Sequence, residues 1–332
     1  MKTLSDYWRG KRVVVTGGTG FIGSFVTEML LDAGASVRVP TRSRRNAGRF
    51  LAPEVLSRIE VLEGDFHDPR AAREAMRGQQ ILLHLAAVVG GIEYNIKHPA
   101  SIFRDNLQIF MNSMEGARLE GLERVMVTSS ACVYPRHCLI PTPESEGFKD
   151  RPEPTNEGYG WAKRMEEFLG ESYAKEFGMS VAIARPYNCY GPRDCFDPER
   201  SHVIPALIRR IWRDHERPLR VWGSGRQSRS FLYVEDFARG LLEVAEKYPK
   251  ATALNIGSDE ETTIAELVGT LQEIHRELGG DGFEAVFDTT KPEGQPRRRC
   301  DTTLAEKEIG YRARWNLKAG LKKTVEWYLG TL

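Results

Sequence analysis

The chain has 332 residues, too many for one small core and enough for a main domain, a smaller lobe and a cleft between them. Hydrophobic residues make up 41% and charged residues 28%, so a large core can be buried and a disordered chain is excluded. Lys and Arg total 47 against 46 for Asp and Glu, and the net charge of +1 leaves no overall field for nucleic acid or an anionic membrane.

Met1 to Arg12 mixes charges with Tyr7 and Trp8 and lacks the apolar core of an export signal. Arg12 to Thr16 reads as a strand opening into Gly17-Gly18-Thr19-Gly20-Phe21-Ile22-Gly23. Phe21/Ile22, Phe25/Val26, Met29/Leu30 and Ala33 then recur at helical spacing up to Gly34. Val37 to Val39 is a second strand and Ile59 to Leu62 a third. A helix over Pro69 to Arg77, a strand over Ile81 to Leu85, a helix near Phe103 to Glu120 and a strand over Arg124 to Thr128 follow. This alternation predicts an α/β fold with a doubly wound parallel sheet of Rossmann type. Past Tyr190 the pattern loosens, with short strands such as Leu219 to Trp222, and marks a smaller C-terminal substrate lobe. Phe231 to Ala245 and Ala253 to Ile256 are regular again, so the lobes are expected to be discontinuous. The main domain takes residues 1–187 plus about 231–257, and the lobe takes about 188–230 plus 258–332. No run reaches about 18 apolar residues, so no membrane span is expected. Five cysteines without C-x-x-C spacing read as thiols in a reducing cytosol, with no disulfide framework and no metal site. The cluster Arg297, Arg298, Arg299 reads as solvated surface.

A dinucleotide pyrophosphate needs backbone N–H groups at a helix N-terminus, which glycine lets it approach; Gly17, Gly20 and Gly23 supply that turn between strand and helix. An NAD site usually ends the second strand with a carboxylate. Here Val37-Arg38-Val39 runs into Pro40-Thr41-Arg42-Ser43-Arg44-Arg45, and the guanidiniums of Arg42, Arg44 and Arg45 suit a 2'-phosphate. NADP(H) is therefore favoured over NAD(H), with no one arginine singled out. Asp65, after the third strand, is placed to reach the adenine amine.

Tyr159 and Lys163 stand four apart in a helical stretch ending near Gly178 and share one face. A free phenol titrates near ~10, so a neighbouring ammonium is needed for Tyr159 to exchange protons near neutrality. Ser129-Ser130-Ala131-Cys132 follows the strand Arg124 to Thr128, at the carboxyl end where such sheets bind their ligands. Ser130 suits a bond to a substrate carbonyl oxygen, and Cys132 either moves a proton at carbon or is an inert buried thiol.

Nearly the whole chain resembles the extended short-chain dehydrogenases/reductases that modify nucleotide sugars. The motifs are Thr16 to Gly23, His84-Leu85-Ala86-Ala87, Tyr159 with Lys163, Arg185-Pro186-Tyr187-Asn188-Cys189-Tyr190-Gly191-Pro192, and Arg229 to Asp236. Ala86 to Ile92, Ser129 to Pro135 and Ser201 to Leu207 are most similar to the branch holding GDP-L-fucose synthase and GDP-mannose 3,5-epimerase. The resemblance implies Cys132 and His202 as an acid/base pair, with Ser130 and Tyr159 at the C4 oxygen. It also implies cofactor contacts from Phe21, Ile22, Phe66, Leu85, Ala86, Ala87, Asn106, Lys163 and Pro186. Sugar-nucleotide contacts, GDP favoured, would come from Asn188, Val203, Arg210, Trp222, Arg229 and Arg297. A cytoplasmic homodimer joined through four helices is implied as well. His202 is synthase-like, whereas Gly18-Thr19 replaces the His-Arg usual in synthases, and Ser129 to Cys132 is nearer the 3,5-epimerase form. The leading expectation is NADPH-dependent 3,5-epimerisation and C4 reduction of a GDP-4-keto-6-deoxyhexose. A redox-neutral epimerase or dehydratase with tightly bound cofactor stays open, as does a non-catalytic NADP-sensing protein, against which the Tyr/Lys pair speaks.

Overall fold

The computed structural model describes residues 4–291 and 295–332, so Met1 to Thr3 of the N-terminal segment lie outside the described residues. In chain order the strands are β1 (Arg12–Thr16), β2 (Ser36–Thr41), β3 (Glu60–Glu63), β4 (Ile81–His84), β5 (Arg124–Thr128), β6 (Val181–Pro186), β7 (Cys189–Tyr190), β8 (Leu219–Trp222), β9 (Ser228–Arg229), β10 (Leu232–Tyr233), β11 (Ala253–Ile256), β12 (Thr262–Thr263), β13 (Ala285–Asp288) and β14 (Arg297–Arg298). The helices are α1 (Phe21–Asp32), α2 (Pro53–Leu56), α3 (Pro69–Met76), α4 (Ile92–Lys97), α5 (Pro99–Leu119), α6 (Glu157–Phe177), α7 (Val203–Trp212), α8 (Val234–Lys247), α9 (Ile264–Glu277), α10 (Thr303–Ile309) and α11 (Leu317–Leu329).

Seven strands form one sheet in the order β11-β6-β5-β4-β1-β2-β3, parallel throughout. Strands covered on both faces need no polar alternation, which is why Val13-Val14-Val15 is an unbroken apolar run. Val13 and Val15 pack with Val26 and Leu30 of α1 and Leu241 of α8, while Val14 packs with Ala72 of α3 and Phe110 of α5 on the other face. α6 ends where Gly178 takes φ +67, a conformation suited to glycine after a helix. The strand order reverses between β1 and β4, and doubly wound sheets bind their ligands in the crevice opened there.

A second core gathers Leu207 and Ile211 of α7, Leu219 and Val221 of β8, Leu267 and Leu271 of α9, and Leu321 and Val325 of α11. β8 alternates, so Leu219 and Val221 are buried while Arg220 and Trp222 face out. Between the two stretches that build this core the chain returns to the main sheet, where β11 pairs with β6 from Ala253↔Ile183 to Ile256↔Pro186. Arg193 fastens the segment after β7 to α1. Its Nη1 donates to Ser24 Oγ at 3.0 Å, its Nη2 pairs with Glu28 at 2.9 Å, and its guanidinium lies 4.5 Å from the Phe25 ring centre. Among the described residues no helix is long and apolar enough to cross a membrane, and all five cysteines are free thiols.

Candidate active site

The turn after β1 is shaped by what glycine leaves out. A Cβ at Gly23 would sit 2.0 Å from the Gly17 carbonyl oxygen, and one at Gly17, whose φ is +70, would sit 3.0 Å from the Ala86 amide nitrogen. Gly20 caps α1 without a side-chain hydrogen bond, and no acidic residue stands in the first turn. The first N–H groups of α1 are thus left for an anion, and the cradle fits a dinucleotide pyrophosphate. Across the crevice, Thr16 Oγ1 accepts the amides of Leu85 and Ala86, each at 3.1 Å, so the segment Leu85 to Ala87 borders the same space. Asn106 does not. Its amide oxygen accepts from Val88 N at 2.9 Å and its nitrogen donates to the carbonyls of Val88 and Ile102, so it braces this segment and has no donor left for a cofactor.

Arg42, Arg44 and Arg45 lie exposed just after β2 and form no ion pair among the described residues. Asp65 is already engaged. Its Oδ1 accepts the His67 amide at 3.0 Å and lies 2.7 Å from His67 Nδ1, and these bonds, with a smaller contribution from Arg42, hold the carboxyl below its ordinary value. Phe66 is buried behind it, with its carbonyl accepting from Asn112. Phe21 and Ile22 open α1 partly buried, and Pro186 closes β6 buried.

After β5 the chain makes a single turn of 3-10 helix over Ala131–Val133. Ser130 caps it, its Oγ accepting the Cys132 amide at 3.1 Å while its own proton stays available to a ligand. The turn is pressed against α6: a Cβ at Gly160 would lie 2.5 Å from the Cys132 carbonyl oxygen. Cys132 is thereby brought beside Tyr159, and the two are close enough for the thiol to act on the phenol electrostatically. Lys163 Nζ is 5.5 Å from the centre of the Tyr159 ring, over its face. The ammonium does not lower the phenol as the spacing had suggested. It is paired with Glu166 one turn on, and burial, with Cys132 and Glu166, pushes Tyr159 well above its ordinary value. His84 lies near the same ammonium; burial and then the Lys163 charge push its imidazole down to about 3.

Residues to which the sequence reading gave no role hold this turn in place. Glu167, four after Lys163, accepts Arg185 Nε at 2.8 Å and Nη2 at 2.7 Å and is also bonded by Ser129 Oγ. Arg185 Nη1 reaches Tyr134 at 3.3 Å, and the Tyr134 hydroxyl donates to Asn255 of β11 at 2.5 Å. Arg164 donates to the Val133 carbonyl at 2.9 and 2.7 Å. The signal was present for Glu167 in its one-turn spacing from Lys163.

His202 caps α7 from outside the sheet. It is exposed by surface area, yet the protein packed around it lowers its imidazole by desolvation. Its loop rests on the segment after β4: a Cβ on Gly91 would lie 3.2 Å from the Ser201 carbonyl oxygen, and Arg200 donates to the Val89 carbonyl at 3.4 Å. Gly90 in turn accepts from Asn95, which also bonds Asn156 at 2.7 Å, immediately before α6. This chain of contacts, and no direct bond to Cys132 or Tyr159, ties His202 to the other candidates.

Two expected phosphate ligands are engaged elsewhere. Arg210 is bidentate on Glu216 at 2.6 and 2.7 Å, and Arg297 is bidentate on Glu261 at 2.5 and 2.7 Å, which pulls the Glu261 carboxyl down to about 2. The arginine cluster is not all surface, since Arg298 is buried and in register with Arg229 on the neighbouring strand. Val203 opens α7 half-buried, Asn188 Nδ2 donates to the Ser230 carbonyl at 3.1 Å, and Arg229 Nη1 donates to the Ser228 carbonyl at 2.7 Å. Trp222 is 47% exposed and carries Lys291 over its ring, leaving an indole surface open for stacking.

Glycine cradle, reversed strand order and a Tyr/Lys pair at the carboxyl edge of a parallel sheet define a dinucleotide-dependent enzyme of the Rossmann class. The comparisons with known proteins agree. The chain belongs to the NAD dependent epimerase/dehydratase family, which matches residues 13–257. It is 33% identical to the probable GDP-L-fucose synthase 1 of Oryza sativa subsp. japonica, over 97% of this chain and 93% of that protein. It is 30% identical to a dTDP-4-dehydro-6-deoxy-D-allose reductase of a Streptomyces species, over 98% of each. Among solved structures, a GDP-L-fucose synthetase of Naegleria fowleri bound to NADP superposes with a TM-score of 0.81 at 26% identity, covering 99% of this chain and 95% of that one.

Proposed function

We propose that the protein is an NADPH-dependent epimerase/reductase that inverts C3 and C5 of a GDP-4-keto-6-deoxyhexose and reduces C4. The contact between the Cys132 turn and α6 at Gly160 carries this reading, because it sets a thiol beside a phenol just past the carboxyl end of β5. A 4-keto group acidifies the hydrogens at C3 and C5, so a thiol and an imidazole, Cys132 and His202, suit removal of a proton by one and its return by the other. An imidazole held below its ordinary value is neutral near pH 7 and ready to accept a proton. Ser130 orients the C4 oxygen and Tyr159 protonates it; a phenol held above its ordinary value is a protonated donor at neutral pH. NADPH, when bound on the α1 cradle with Lys163 at its ribose, supplies the hydride.

The lobe of residues 188–230 plus 258–332 takes the nucleotide, with Trp222 stacking on the base and Arg229 and Arg298 as the diphosphate pair in place of Arg210 and Arg297. A homodimer forms across α5 and α6, which leave Met111 48% and Phe168 60% exposed. The protein works in the cytoplasm. The test is NADPH oxidation with the keto sugar in deuterated water, with label entering C3 and C5. Cys132→Ser and His202→Asn are expected to lose that exchange, and parental exchange in both overturns the acid/base assignment. The allose reductase relative favours a second reading in which the nucleotide is dTDP. Parallel turnover with GDP and dTDP keto sugars decides between them, and turnover without net NADPH consumption would show a redox-neutral epimerase.

A further inference from the structure

Beside Lys163 lies a carboxyl that the acid/base scheme does not use. Glu166 follows Lys163 by three positions on α6, so both side chains leave the same face of the helix. Lys163 Nζ and Glu166 Oε2 are 2.8 Å apart, with exposures of 2% and 0%. Oε1 of Glu166 has no hydrogen-bond partner among the described residues. Burying a carboxylate is costly, and an uncharged amide in its place would also accept one hydrogen bond from the ammonium. The charge itself therefore calls for a reason.

The surroundings supply one. An ammonium has three donors, and the one given to Glu166 accompanies a position of Nζ over the Tyr159 ring face. The charged and titratable groups around this pair are Tyr159 and Glu167 on α6, His84 at the end of β4, Cys132 in the turn after β5, and Arg185 on β6, which is bound to Glu167. From α5 comes the neutral Phe110, edge-on to His84. Glu166 is the anion in direct contact with the ammonium, and its charge is one of the influences that raise the phenol. Burial pushes Glu166 itself up to about 7 against the pull of Lys163.

We infer that Glu166 is a positioning residue for proton transfer at C4: its carboxylate tethers the Lys163 ammonium over the face of the Tyr159 ring and, separately, sets a negative charge near the phenol that must donate. This rests on the reading of Tyr159 as the proton donor. The pH dependence of kcat/KM for NADPH-dependent reduction of the GDP-4-keto-6-deoxyhexose tests it, because activity falls where Tyr159 loses its proton. In Glu166→Gln the phenolate no longer faces an anion, so the alkaline limb moves down by about one pH unit or more. Glu166→Asp keeps the charge on a shorter arm, so the limb stays at the parental pH while kcat falls about tenfold with the sugar KM little changed. A Glu166→Gln limb that overlays the parent's, or a Glu166→Asp enzyme with parental kcat, overturns the inference; should Glu166→Gln not fold, the aspartate variant decides alone. Tyr159→Phe separates the two levels. Reduction retained without the phenol overturns the donor reading and this inference with it, whereas an inactive Tyr159→Phe beside an unshifted Glu166→Gln overturns the role of Glu166 alone.

Discussion

Gly160→Ala adds one methyl at the point where the Cys132 turn meets α6. The new Cβ would lie 2.5 Å from the Cys132 carbonyl oxygen and 2.6 Å from Cβ of Pro152, whereas ordinary contact begins at 3.4 Å. The turn must recede by about 0.5–0.9 Å, and a displacement of that size at a reacting group costs up to about 10²-fold in rate. Overpacking adds about 1–3 kcal/mol of destabilisation, a fall in melting temperature of roughly 1–4 °C for a chain of this size. Single-turnover reduction and deuterium wash-in at C3 and C5 are measured side by side on folded enzyme. Both are expected to fall together, because Cys132 and Tyr159 are positioned by the same contact, while NADPH affinity, governed chiefly by the glycine cradle after β1, changes little. Parental rates for both reactions in a folded Gly160→Ala enzyme would refute the idea that this contact aligns the pair.

Two further outcomes follow from the charges. Replacing Arg42, Arg44 and Arg45 by Ala one at a time is expected to lower the NADPH-over-NADH preference about tenfold or more at the residue that meets the 2'-phosphate, the equivalent of one charge-assisted hydrogen bond of about 1.5 kcal/mol; steady-state kinetics with both cofactors read this, and three unchanged ratios would place phosphate recognition elsewhere. His84 titrates near 6.5 in the unfolded chain and at about 3 in the native one, so as pH falls below 6.5 only the unfolded state takes its proton. Its contribution is present above pH 6.5 and is lost on the way down to pH 3 at about 1.4 kcal/mol per pH unit. Denaturant titrations of the parent and His84→Gln between pH 6.5 and 4.5 should differ by that slope, and parallel curves would contradict it.

Strands β5, β8 and β11 fall where the sequence pattern placed them: β5 and β11 are short, mostly aliphatic stretches of a buried parallel sheet, and β8 alternates apolar and exposed residues. Elsewhere the ends moved. β2 continues past Val39 to Thr41, since proline removes a donor but its φ suits extended chain, and α5 begins at Pro99, a residue at ease in a first helical turn. The cofactor turn was legible because steric exclusion by Gly23 is a property of neighbours in sequence. Partners brought close only by the fold were not: Glu261 reaches Arg297 across 36 positions, and Glu216 meets Arg210 beyond the end of α7, so both arginines were read as available for phosphate. Lys163 was read through its spacing from Tyr159 alone, although the acid one turn further on decides where its ammonium points.

The path of β11 has a mechanical consequence. Two bodies joined by one linker can swing apart to admit a ligand, but this chain crosses from the sheet to the second core, comes back to lay β11 against β6, and crosses again. With Arg193 also clamping the far side to the helix that follows the glycine cradle, a hinge would have to tear several attachments at once. Entry and exit of the sugar nucleotide are thus left to the surface segments around the cleft, and the whole molecule should melt as one unit, with no half of it able to stand alone.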